Sequence, residues 1–176
     1  MFQREGQPWQ RVSPGSPFLD LGPSGQFDDL LVYPTHNAPI RVGERLYIFY
    51  TGGSAHRLDM SMGVMWIGRD RFVGMAHSRR EPGELITKPV TLEHARIAVN
   101  AVRLHKGVVR LGLRHSNGDW IDGYGLQESR IDLSAGSDRT PARWKDKADV
   151  SELKGKKVWL HFQVDGASLY AYRFYD

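Results

Sequence analysis

The chain has 176 residues, 40% hydrophobic, 25% charged and 11% aromatic, with a formal net charge of +4. This length supports one or two domains with a real core, and the composition excludes a disordered chain. With no cysteine, disulfides and thiolate metal sites are excluded, and basic residues interleaved with acids, as in Arg143-Trp-Lys-Asp-Lys-Ala-Asp149, read as a solvated face rather than a nucleic-acid stripe.

No run of about 18 apolar residues is present, so no membrane span is expected. Met1–Gly6 lacks the apolar core of a signal peptide. The location expected is cytoplasmic if Met1 is the true start, and export if a leader lies upstream. Residues 1–28 are rich in Gly, Pro, Ser and Gln with single apolar residues, which predicts irregular structure and one short strand at Trp9–Val12. Short strands are then expected at Leu30–Tyr33, Ile40–Val42, Leu46–Thr51 and Met62–Ile67, with a hairpin through Gly43-Glu44. In Leu46-Tyr-Ile-Phe-Tyr50 both faces are apolar, so this strand requires cover on both sides. A single propeller-like blade fits that requirement only if something else supplies the cover.

From about Ala76 the texture changes. Seven strands are expected, at 85–90, 97–102, 108–114, 121–124, 141–144, 157–164 and 168–175, punctuated by Lys106-Gly107, Asn117-Gly118 and Asp165-Gly166 as turns. Val109, Leu111 and Leu113 share one face, and Val158, Leu160, Phe162 and Val164 repeat the pattern. This spacing predicts an antiparallel β-sandwich. One helical turn is expected at Asp149–Gly155, capped by Asp149 and Glu152 and ended by Gly155. The fold class expected is therefore all-β, a single propeller-like blade over 1–75 followed by a β-sandwich over 76–176.

The ordered motifs Arg4-Glu-Gly-x-x-Trp9, Phe18-Leu-x-Leu-Gly-Pro23, Gly25-x-Phe-Asp28, Val42-Gly-x-x-Leu-Tyr-Ile-Phe-Tyr-Thr-Gly-Gly53 and Arg69-Asp-x-Phe72 resemble the last blade of five-bladed β-propeller proteins related to glycoside hydrolases, of the invertase-like and arabinanase-like kind. Leu85-Ile-Thr-Lys-Pro89, Arg143-Trp-Lys145 and Ala167-x-Leu-Tyr-Ala-Tyr-x-Phe174 are similar to the β-sandwich appended to that propeller. The resemblance implies a carbohydrate ligand, about four further blades before residue 1, and catalytic acids carried mainly by those blades. It also carries a departure, Arg71 in place of the usual glycine.

Glycoside hydrolysis needs two carboxyl groups flanking the scissile bond. Asp28 and Asp29 are adjacent and, if extended, point to opposite faces, so they are not that pair by themselves. One of them, taken as Asp28, is expected with Tyr33 and His36 to line a sugar pocket; the alternative is that the aspartates cap turns and Tyr33 packs. By the resemblance His56 lies at a pocket mouth; the alternative is a solvated loop histidine. The seven histidines show no metal-ligand spacing, and no nucleophile or phosphate-loop motif is present, so neither metal nor cofactor is expected. Asp119-Trp120-Ile-Asp122 reads as a sugar-stacking loop or as a sandwich edge. The function expected is the C-terminal part of a glycoside-hydrolase-like protein, positioning a carbohydrate without turning it over alone. The alternatives are a stand-alone carbohydrate-binding or protein-interaction module, and a truncated reading frame with no independent function. The partners expected are a carbohydrate, and a second copy or missing blades against strand 46–50.

Overall fold

The computed structural model describes residues 6–76 and 81–176; the Arg4-Glu5 start of the first motif and His77 lie outside them. The fold is all-β with antiparallel sheets, consistent with a β-sandwich. Contacts divide the chain into two compact units, residues 1–69 and 70–176. Among the described residues no helix is long and apolar enough to cross a membrane.

The first unit is a four-stranded sheet of β1 (Leu31–Pro34), β2 (Ile40–Val42), β3 (Arg45–Gly53) and β4 (Met60–Gly68). The two-faced apolar run forms the middle of β3. All of β3 pairs with β4 on one side, while β1 takes its C-terminal part and β2 its N-terminal part on the other. Gly43, at φ 59, makes the β2–β3 turn in a conformation that favours glycine. Residues 9–12 form no strand beyond a single bridge position at Gln10; Pro8, Pro14 and Gly15 nearby limit further pairing.

The second unit contains β5 (Met75–Ala76), β6 (Gly83–Ile86), β7 (Val90–Thr91), β8 (Arg96–Arg114), β9 (Ser129–Arg130), β10 (Thr140–Pro141), β11 (Arg143–Trp144) and β12 (Lys157–Tyr175). Its frame is the pairing of two long bent strands, β8 and β12. The cross-strand pairs Leu113↔Leu160, Leu111↔Phe162 and Val109↔Val164 face inward, and all six side chains are buried. Trp144 closes this core, donating from Nε1 to the Leu111 carbonyl at 2.8 Å and meeting Tyr124 edge-on at 4.9 Å. Arg71 ties the start of the unit down, donating from Nε to Asn100 Oδ1 at 2.8 Å and from Nη2 to the Gly136 carbonyl at 2.9 Å.

Two further expectations, both in the second unit, need correction. Lys106-Gly107 and Asp165-Gly166 are not turns but facing irregularities inside β8 and β12, where the register shifts between Asp165 and Ala167. A Cβ on Gly107 would lie 1.6 Å from the Gly166 carbonyl oxygen, so the two backbones approach as only glycine permits. Residues 121–124 also form no strand: Tyr124 and Ile121 make a tight turn, N–H to carbonyl at 2.9 Å, that drops both side chains into the core. Asn117-Gly118 is a turn, with Gly118 at φ 93. The helical turn exists as a 3-10 turn over Ser151–Leu153. Asp149 Oδ1 accepts from the Ser151 N–H at 3.0 Å, while Glu152 pairs with Lys147 at 2.8 Å instead of closing a capping box.

Candidate functional site

In the first unit the segment before β1 folds back over one face of β3. Phe27 stacks on Tyr50 at 5.9 Å, and Gly52 leaves room for Phe27 and Asp28, since a Cβ there would lie 2.6 Å from Asp28 Cβ. Asp28 is buried and accepts a 2.8 Å hydrogen bond from the Tyr50 hydroxyl. Burial first, and the Asp28 carboxylate second, push the Tyr50 hydroxyl above the usual phenol range.

Asp29, adjacent in sequence, serves a different group of residues. Its Oδ2 accepts from the Gly25 N–H at 2.7 Å and its Oδ1 from the Ala55 N–H at 2.9 Å, so one carboxylate joins the loop before β1 to the loop after β3. Those two backbone donors, Gly25 foremost, hold it below the usual carboxylate range. A lowered proton affinity suits an anionic clamp and opposes the role of a proton donor. His56 lies above it, with Nε2 3.4 Å from Asp29 Oδ2 and 3.2 Å from Ser24 Oγ, and 61% of its side chain is exposed. The buried Ser54 hydroxyl accepts from the His56 N–H at 3.2 Å and supports that loop from beneath.

The four residues singled out in the sequence do not converge. Asp28 covers the β3 face that carries Tyr50 and Gly52. Tyr33 pairs in register with Thr51, which points to the opposite face, and is 60% exposed. His36 is exposed in the bend after β1. His56 is joined to Asp29 rather than to Asp28. Sequence reasoning weighed Asp28 and Asp29 together and settled on Asp28; the signal that sets Asp29 apart is Gly25, four residues earlier in a turn whose N–H a following aspartate can take.

In the second unit, the chain after the Asn117-Gly118 turn lays Trp120 across the outer face of the β8–β12 pair. A Cβ on Gly112 would lie 2.5 Å from Trp120 Cζ3, so that glycine provides the seat for the indole. The Arg114 guanidinium lies 3.9 Å from the indole centroid and the His161 imidazole stacks at 5.2 Å with a 22° tilt. His161, cross-strand from Gly112, is buried, and its Nε2 is 3.3 Å from Glu84 Oε2. Burial lowers its proton affinity, Glu84 partly opposes this, and Arg114 adds to it. These contacts immobilise Trp120 while leaving 41% of it exposed. Beside it opens a groove of about 470 Å³ lined by Trp120, Ile121, Asp122, Leu126, Gln127 and Glu128. Asp122 and Gln127 are exposed, and Glu128 lies over Gly125.

Among the described residues no three histidine or acidic side chains gather as metal ligands. The chain has no match among protein-family models, curated proteins or solved structures.

Proposed function

We propose that the chain is a carbohydrate-binding β module of glycoside-hydrolase-like character that positions a glycan without hydrolysing it alone. The observation carrying this reading is the groove beside Trp120. A sugar presents an apolar C–H face together with a rim of hydroxyls. An aromatic ring held rigid beforehand receives the first at low entropic cost, and carboxylate and amide side chains receive the second. Trp120 supplies the ring, and Asp122, Gln127 and Glu128 supply hydrogen-bonding groups within one concavity. The sequence resemblance to propeller glycosidases with an appended sandwich supports the same ligand class. Asp28, occupied by Tyr50, and Asp29, occupied by backbone amides, support the view that residues 1–69 do not carry the acid/base pair.

Affinity electrophoresis of the full chain through gels containing plant and bacterial polysaccharides tests this. At least one polysaccharide is expected to retard the wild-type chain. Trp120→Ala and Gln127→Ala are each expected to weaken that retardation about tenfold or more with an unchanged circular dichroism spectrum. Gln127 is exposed, so its variant reports on the groove without disturbing the sheet. No retardation by any polysaccharide, or retardation indifferent to both substitutions, overturns the reading.

A further inference from the structure

The first unit has one covered face and one bare face. Antiparallel partners share a face, so the registers put Leu31 and Tyr33 of β1, Ile40 and Val42 of β2, Tyr47, Phe49 and Thr51 of β3, and Met60, Met62, Val64 and Trp66 of β4 together. This is the face opposite Phe27, Asp28 and Tyr50. Tyr33, Ile40, Val42, Met60, Met62, Val64 and Trp66 are each more than half exposed, between 51% and 71%. With side chains of roughly 150–250 Å² each, these seven present on the order of 800 Å² of largely apolar surface. That exceeds the few hundred Å² a monomer ordinarily tolerates, and it equals what one partner contributes to a standard stable interface, about 800 Å².

We propose that this face is the interface of a symmetric dimer, covered by the same face of a second copy of the chain. Area is the first argument, and charge is the second. Among the described residues the only charged side chain the registers place on this face is Arg45, whose guanidinium already lies 4.0 Å from the Trp66 ring. Two copies therefore meet without a like-charge pair at the centre. A two-fold axis lying in the interface and perpendicular to β3 runs the paired strands in opposite directions, and the proposal takes that arrangement because it separates the two Arg45 side chains. Val64 and Phe49 then fall near the centre. The Arg45 end of one sheet lies over the end of the partner sheet where β4 begins, beside the partner's Asp59, with Met60 and Met62 adapting to the Trp66 contour. Among the described residues β4 is an edge strand, and it carries no charged residue and no proline from Met60 to Gly68, so every side chain it adds to this face is apolar. The proposal is independent of the glycan groove, which lies in the second unit.

Sedimentation velocity and light scattering of the full chain over a hundredfold concentration range test it. The expected result is a single species of twice the 20.0 kDa chain mass that dissociates on dilution. Met62→Lys and Val64→Lys, at 71% and 54% exposed positions that the monomer fold does not bury, are expected to raise the dissociation constant about a hundredfold or more with an unchanged circular dichroism spectrum. Ile86→Lys, at a 43% exposed position of β6 in the second unit, is expected to leave it unchanged. A wild-type monomer at every concentration, an open series of aggregates, or a dimer indifferent to both β4 lysines overturns the proposal; the second outcome assigns the face to a different chain or to a preceding segment.

Discussion

Replacing Tyr50 by Phe removes one oxygen and leaves the ring against Phe27, so the substitution isolates the hydrogen bond to Asp28. The bond is 2.8 Å long and both partners are buried, Asp28 at 8% and Tyr50 at 9% exposure. A hydrogen bond to a charged acceptor in such a place contributes about 1.5–3 kcal/mol, mostly because its loss strands a carboxylate away from water. Asp28→Asn keeps an acceptor for the hydroxyl and forms a neutral bond, so its cost is about 1 kcal/mol. In the double variant no charge is stranded, and the two costs are expected to fall short of additivity by about 1–2 kcal/mol. Native-state hydrogen exchange at fixed protein concentration reads this at two amides that close around the pair, Gly22 donating to the Asp28 carbonyl and Leu30 donating to the Gly53 carbonyl, each at 3.0 Å. A loss of about 2 kcal/mol accelerates their exchange roughly thirtyfold, with amides of β8 as internal controls. Additive single effects, or a Tyr50→Phe acceleration below about threefold, would refute the reasoning and return Asp28 to the list of free, ligand-directed carboxylates.

Two other perturbations address the second unit. His161 has an unfolded reference value of 6.5 and a lower value when folded, so the unfolded chain binds more protons on acidification. The stability from keeping it neutral is complete above about pH 6.5 and is lost as the pH falls through the folded value. The melting temperature of this unit is expected to drop on acidification from pH 6.5, and His161→Gln to flatten that drop; a melting temperature that rises over the same window sinks the assignment. Gly107→Ala, which would force a methyl against the Gly166 backbone, is expected to destabilise the unit by about 3 kcal/mol or more. Gly118→Ala, open to space but at φ 93, costs only about 1–2 kcal/mol, and equal urea midpoints for the two variants would contradict the close approach.

What could be read from the sequence, and what could not, divides along local and non-local causes. The inward faces of β8 and β12 were legible because alternation is written in the chain itself: Val109, Leu111 and Leu113 against Val158, Leu160, Phe162 and Val164. Asp165-Gly166 misled because an aspartate-glycine pair supplies the same backbone freedom to a hairpin turn and to a bulge. The deciding fact was Gly107 on the partner strand, which no local window contains. The same holds for Trp120. Its loop was visible as a candidate, but its fixed plane depends on Gly112 and His161 being cross-strand partners and on Arg114 lying two residues further along. His56 was likewise found as a loop histidine, while its attachment to Asp29 spans 27 positions of sequence.

The two units answer the need to bury apolar surface in opposite ways, and that contrast links the architecture to the proposed roles. Residues 70–176 close a core from Leu92 to Leu169 with nearly every large inward side chain out of water. Such a unit can afford an outer face given over to Trp120, His161 and the adjoining groove. Among the described residues of the first unit, Tyr50 is the only buried hydrophobic side chain, although β3 and β4 are among the most apolar segments of the chain. One face of its sheet is satisfied by Phe27 and Asp28, held in place through Tyr50. The other retains on the order of 800 Å² in solvent, a term of about 20 kcal/mol at 25 cal/mol per Å² before the costs of association are subtracted. About two-fifths of that term, roughly 8 kcal/mol, surviving those costs amounts to a micromolar interface. Under the proposed dimer the first unit buries its bare face only on association, whereas the second closes a core of its own.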